Sequence, residues 1–105
     1  MKMHAARRHA LSLPDTVEQP HHESTSFRVG GRIFATAPPD GAHLHLFIPD
    51  LEREQALELH DFTEKLFWGG KVVGIRVRLA EAEPAVVRKL LEAAWRHKAP
   101  AKAKA

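Results

Sequence analysis

Met3, Ala6, Ala10 and Leu13 recur at helical spacing, and Pro14 stops the pattern, so the chain is predicted to open with a helix over Met3 to Leu13. Thr16 to Pro20 is a candidate first strand with poor apolar content. Ser26-Phe27-Arg28-Val29 and Arg32-Ile33-Phe34-Ala35-Thr36 are two strand-like runs separated by Gly30-Gly31, a hairpin signal because both glycines tolerate positive φ. Pro38-Pro39-Asp40-Gly41 reads as a turn. His43 to Ile48 then alternates: Leu44, Leu46 and Ile48 share one face, and His43, His45 and Phe47 share the other.

Pro49-Asp50 is expected to begin a second helix, with Asp50 accepting from first-turn amides and Leu51, Gln55 and Leu59, beside Ala56 and Phe62, as its apolar side. It should end near His60 or Asp61. Thr63 to Gly70 reads as a short strand or loop leading into a glycine turn. Val72 to Leu79 is the clearest strand, with Val73, Ile75, Val77 and Leu79 on one face and Val72, Gly74, Arg76 and Arg78 on the other. Glu83-Pro84 starts the last helix, whose stripe is Val87, Leu90, Leu91, Ala94 and Trp95. This order predicts an α+β fold: an antiparallel sheet of about five strands with helices packed on one face.

A chain of 105 residues has room for one small domain, expected over residues 1–98, followed by a low-complexity Lys/Ala tail over 99–105 expected to be disordered. With no cysteine, disulfides and thiolate zinc sites are excluded. No apolar run approaches the roughly 18–20 residues of a membrane span, and the basic N-terminus lacks an apolar signal core. A cytoplasmic protein of bacterial type, without a membrane partner, is the expectation. The net charge of +3 invites a nucleic-acid partner. Its distribution weakens that inference. Lys2, Arg7 and Arg8 lie at one end and Lys98, Lys102 and Lys104 at the other; taking those six from 16 leaves 10 cations against 13 acids in between, a body charge of −3.

The stretch Ser26 to Thr36 resembles the MmcQ/YjbR family of small bacterial proteins. Leu13-Pro14 after the first helix, the Pro20-His21-His22-Glu23-Ser24 segment, the Leu44 to Ile48 strand, the Asp50 to His60 helix, Trp68-Gly69-Gly70 and the Leu90 to Trp95 helix fit the same pattern, over roughly residues 8 to 98. Order and spacing of several weak motifs carry the likeness. It implies a double-wing sheet covered by helices, akin to a phage transcription factor's DNA-binding domain, and hence DNA binding by fold analogy. Arg32 stands where the family often has Lys, which keeps the charge and alters the geometry of a phosphate contact.

Four constellations bear on function. Arg76 and Arg78 lie two apart on one strand, Arg28 and Arg32 flank the first glycine hairpin, and Lys65 and Lys71 flank the second, with Trp68 or Phe47 able to stack on a base. The competing explanation is that strand arginines solubilise and protect an edge. His43 and His45, with His21-His22 nearby, are a metal candidate lacking any carboxylate at ligand spacing, and no metal or other cofactor is assigned. No nucleophile elbow, Walker loop or dinucleotide fingerprint is present, and Ser12, Ser24 and Ser26 have no base partner pattern, so no enzyme is expected. Phe27, Phe34, Phe62, Phe67 and Trp95 read as core. Trp68 is open between capping the core, the preferred role, and standing exposed for recognition. Two functions follow: a salt-dependent, low-affinity nucleic-acid binder using Arg28, Arg32, Lys65, Trp68, Lys71, Arg76 and Arg78, or a non-enzymatic protein- or small-ligand-binding module on the same face, a monomer or weak homodimer. A contiguous apolar patch around Phe47, Trp68 and Val72 would favour the second.

Overall fold

The computed structural model describes residues 1–101. The elements are α1 (Met3–Ser12), β1 (Thr16–His21), β2 (Ser24–Val29), β3 (Arg32–Ala37), β4 (His43–Leu46), α2 (Asp50–Leu59), β5 (Thr63–Trp68), β6 (Lys71–Arg78) and, after a short 3-10 turn, α3 (Pro84–Lys98). The sheet has six strands in the order β1-β2-β3-β4-β6-β5, every neighbouring pair antiparallel. Thr16–His21 and Thr63–Trp68, the two weakest strand signals, both pair and become the two edges.

Register shows which residues share a face. Phe27 opposes Ala35, Ala35 opposes Leu46, Leu46 opposes Ile75 and Leu44 opposes Val77. All are buried, and this face carries the helices. Helix α3 adds Val87, Leu91, Ala94 and Trp95, and α1 adds Ala6 and Ala10. Full burial of each leucine- or valine-sized side chain contributes about 1.5–3 kcal/mol. Trp95 Nε1 donates to Pro14 O at 2.9 Å, tying the end of α1 to α3.

Three expectations are corrected. Helix α2 buries Ala56, while Leu51 and Leu59 are 67% and 72% exposed. The helix instead buries Ala56 and half-buries Glu52, Arg53 and Leu57. Asp50 makes no side-chain cap; it pairs with Arg53 Nη1 at 2.8 Å, and Arg53 reaches Val72 O at 3.4 Å, clipping α2 to β6. Phe67 and Trp68 are outside the core at 61% and 77% exposure, because β5 is an edge strand and its last residues run past the end of β4. At the C-terminus, Ala99 is buried and Pro100 sits against Gly30. The remainder of the expected tail, residues 102–105, lies outside the described residues.

Candidate functional site

The two glycine hairpins define the site. Gly30-Gly31 and Gly69-Gly70 all have positive φ, between 58° and 80°, which places both turns in the left-handed conformation that two-residue hairpins favour. The register then fixes their direction. Along β4 the chain passes from His45 to Leu46 as β3 runs back from Thr36 to Ala35 and β6 from Arg76 to Ile75. Both hairpin tips therefore project beyond the same end of β4. That strand is only four residues long, and β3 pairs with it at two positions. Past Leu46 the chain leaves the sheet through Phe47, Ile48 and Pro49 into α2, so the two hairpins stand as separate arms.

Gly74 lets this junction close. A Cβ on Gly74 would lie 1.9 Å from Leu46 O and 3.1 Å from Phe47 Cα. Only a glycine allows β6 to approach the end of β4 this closely. Both arms also carry a bulge, one where β2 meets β3 at Phe27/Arg28 and one where β5 meets β6 at Leu66/Phe67. The first lets Phe34 and Ala35 both reach the core. The second breaks the alternation of β6, so Val73, expected on the core face, is half-buried and lines the space between the arms.

That space is an open groove of about 950 Å³. Ile33 borders it from one arm and Leu66, Phe67, Trp68, Val72 and Val73 from the other, with Phe47, Ile48 and Pro49 between. It continues over the helix-free face past Thr36 and His45 to the His21–His22 turn, where the two imidazoles meet edge to face with centroids 4.6 Å apart. Polar groups at its tip end are Asp50, Arg53, His97 and Lys98.

The cations named from the sequence do not share one face. Ser26 opposes Thr36, Thr36 opposes His45, and His45 opposes Arg76, which opposes Glu64; His43 opposes Arg78. Arg28 joins this helix-free face, its Nε donating to Ser26 Oγ at 2.9 Å. Arg32 opposes the buried Val29 and reaches Lys98 O at 3.5 Å, on the helix side. Lys65 opposes the buried Ile75 and is likewise on the helix side of the edge strand. Trp68 opposes Lys71 at the tip of its arm.

On the helix-free face the arginines are already occupied. Arg76 lies 3.4 Å from Glu64 Oε1 and 3.8 Å from Asp40 Oδ2. Arg78 lies 3.2 Å from Glu81 and 4.0 Å from Glu64, and donates to Asp61 O. The Arg76–Glu64 contact is an ion pair without hydrogen-bond alignment, since Arg76 Nε has no bonded partner. Asp40 receives the Ala42 and His43 backbone N–H groups and the His43 ring at 2.7 Å, which hold its carboxyl down at about 2. His43 Nδ1 also lies 3.2 Å from Arg76 Nη2. His45 sits beside this network, and burial, with Arg76 and His43 nearby, lowers its pKa. Its Nε2 is buried with no hydrogen-bond partner.

Among the described residues no three His, Asp or Glu side chains are grouped to hold a metal ion, and no helix is long and apolar enough to cross a membrane. Ser26 Oγ donates to Gln19 O and Ser12 Oγ to His9 O, so both hydroxyls serve the backbone. Sequence reasoning identified Phe47, Trp68 and Val72 as a patch and missed Ile33, Leu66 and Lys98. The available signal was the mismatch between a four-residue and an eight-residue strand flanked by two glycine turns.

No match is found among curated proteins or among solved structures. The YjbR family model does match, over residues 11–97, which takes in the last two residues of α1, all six strands, α2 and all but the final residue of α3. Helices α2 and α3 and the two glycine-tipped arms are thus built from the matched segment, and the chain belongs to the YjbR family.

Proposed function

We propose that this protein is a non-enzymatic binding module whose groove between the two hairpin arms takes a small, largely apolar ligand. One observation carries the proposal: Ile33, Phe47, Leu66, Phe67, Trp68 and Val72 line a single groove between the arms, while Arg76 and Arg78 on the helix-free face are engaged by Glu64, Asp40 and Glu81. A volume of about 950 Å³ is at the upper end of what drug-sized ligands occupy. Exposed aromatics in a small domain have a desolvation gain still to be made, and Phe67 and Trp68 at the rim are the largest such groups. Titration with the neutral dye N-phenyl-1-naphthylamine tests the proposal. It expects saturable binding at one dye per chain, weakened at least fivefold by Ile33→Asp and by Trp68→Ala. Linear, unsaturable uptake, or saturable binding indifferent to both substitutions, would sink it.

A second function has an observation of its own. Trp68 is the most exposed large apolar residue and stands opposite Lys71, and neither Lys65 nor Lys71 has a carboxylate within 4 Å among the described residues. A stacking tryptophan beside unpaired lysines suits a single-stranded nucleic acid. On this account affinity for a labelled oligothymidylate falls steeply with salt, and Lys65→Ala with Lys71→Ala flattens the slope. Absence of any anisotropy change at low salt rules it out.

A further inference from the structure

We infer that the ligand of the groove is a small amphipathic anion, an aryl or acyl carboxylate or sulfonate, whose charged group is held by Arg32 and Lys98 while its apolar body lies between the arms. The inference rests on the groove function proposed above and names its ligand class.

Lys98 lines the tip end of the groove and is half-buried. The residue beside it from the first arm is Arg32, whose guanidinium reaches the Lys98 carbonyl at 3.5 Å. Arg53, which lines the groove, has Asp50 and Glu54, and Arg76 on the helix-free face has Glu64 and Asp40, whereas Arg28 on that face has Ser26 Oγ. Arg32 and Lys98 have no acidic partner within 4 Å among the described residues. Arg32 and the half-buried Lys98 are thus neighbours without an acidic partner, and burial first and Arg32 second lower the pKa of Lys98.

The bland explanation is that cations suit the carbonyl end of α3, which Lys98 closes. Its size is insufficient. A helix C-terminus supplies roughly half a negative charge, falling off within one turn, against two full positive charges. Arg96 and His97 share that same end. An arginine also offers five N–H donors in a planar fork, and one long contact to a carbonyl leaves most of them for a carboxylate or sulfonate. Ile33 follows Arg32 on the opposite face of β3 and borders the groove, so a ligand with its anionic head at Arg32 and Lys98 passes through the gap between the arms to lay its apolar body against Ile33 and towards Phe47 and Trp68. The ligand's shape follows from this spacing: one anionic end and one apolar body, since the residues lining the groove from the other arm, Leu66, Phe67, Trp68, Val72 and Val73, are all apolar.

A matched pair of dyes makes the test direct. N-phenyl-1-naphthylamine is neutral, and 1-anilinonaphthalene-8-sulfonate is the same ring system bearing an anion. The wild-type chain is expected to bind the sulfonate at least tenfold more tightly than the neutral dye. The double variant Arg32→Gln, Lys98→Gln is expected to lose that tenfold preference while binding the neutral dye within twofold of wild type. Arg32→Lys with Lys98→Arg, which keeps both charges, should restore the preference, and unchanged circular dichroism melting of each variant shows that folding is not the cause. Equal affinity for the two dyes in the wild type, or a double variant that keeps its preference, overturns the anion site and leaves the apolar groove standing. Failure of both dyes to bind overturns both.

Discussion

Gly74 offers the sharpest test of the geometry, because one methyl group there meets backbone. In Gly74→Ala the new Cβ would lie 1.9 Å from Leu46 O and 2.9 Å from Leu46 C. An ordinary carbon–oxygen contact is about 3.3 Å, so β6 and β4 must part by about 1.4 Å. Strands are held about 4.8 Å apart by their ladder, and hydrogen bonds stretched that far are lost. Two ladder bonds at about 1 kcal/mol each, with about 1–3 kcal/mol for disturbing the packing of the fully buried Leu46 and Ile75, outweigh the gain of about 0.4–1 kcal/mol from a stiffer unfolded chain. The net expectation is a loss of about 2–4 kcal/mol. Urea unfolding followed by far-ultraviolet circular dichroism measures it, with an unchanged slope and a lower midpoint. Gly31→Ala is the comparison: its φ is +79° and nothing lies within 4 Å of its Cβ, so it loses only the conformational term of about 1–2 kcal/mol. A Gly74→Ala chain as stable as wild type would refute the close approach of β4 and β6, and with it the account of how the arms are separated.

Other substitutions separate folding from binding. Trp68→Ala should leave the urea midpoint within about 0.5 kcal/mol of wild type, since the side chain is 77% exposed, while it weakens neutral-dye binding. Trp95→Phe deletes the Nε1–H donated to Pro14 O and leaves that carbonyl without its partner, for a loss of about 1–3 kcal/mol in the same assay. His45 provides a pH signature. Its folded pKa lies below its ordinary 6.5 because of burial and of Arg76 and His43, with Asp40 and Glu64 opposing more weakly. The unfolded chain therefore takes up the proton first, so the stability associated with a neutral His45 is complete above pH 6.5 and is lost as pH falls through the folded value. The midpoint should drop between pH 7 and pH 5, and His45→Gln should make that drop smaller; an equal drop in both chains would count against a buried neutral imidazole.

The elements legible from sequence were those whose pattern and burial agree. Val87, Leu91, Ala94 and Trp95 mark α3 because a helix packed on a sheet needs one continuous stripe. Leu44 and Leu46 alternate with His43 and His45 because β4 is central and buried on one face only. Helix α2 misled because its leucines, Leu51 and Leu59, sit where no element covers them, and apolar type alone does not say which side of a helix finds a partner. The aromatics Phe67 and Trp68 misled for a related reason: their burial depends on how far a neighbouring strand extends, a property of strand pairing and not of the residues themselves. The basic surface was legible as a set of positions and illegible as a charge. Arg76 and Arg78 do project together as their spacing requires, but Glu64 reaches them from β5, whose sequence pattern reads as either strand or loop, and Asp40 from a turn.

A sheet covered by helices on one side ordinarily presents polar residues on the other. Here that rule holds and fails on the same face. Around His43, His45, Arg76 and Arg78, where β4 lies between β3 and β6, the free face is polar and its charges are paired. Beyond Leu46, where β4 has ended, the exposed or half-buried residues become Ile33, Phe47, Leu66, Phe67 and Trp68. The change occurs at the end of one strand, at the point where Gly74 brings β6 against Leu46 and Phe47. Stability does not account for Phe67 and Trp68, because side chains more than half exposed add little to folding. Apolar side chains gathered in the gap between two projecting arms, at the point where the continuous sheet ends, are the pattern expected when the gap has an occupant.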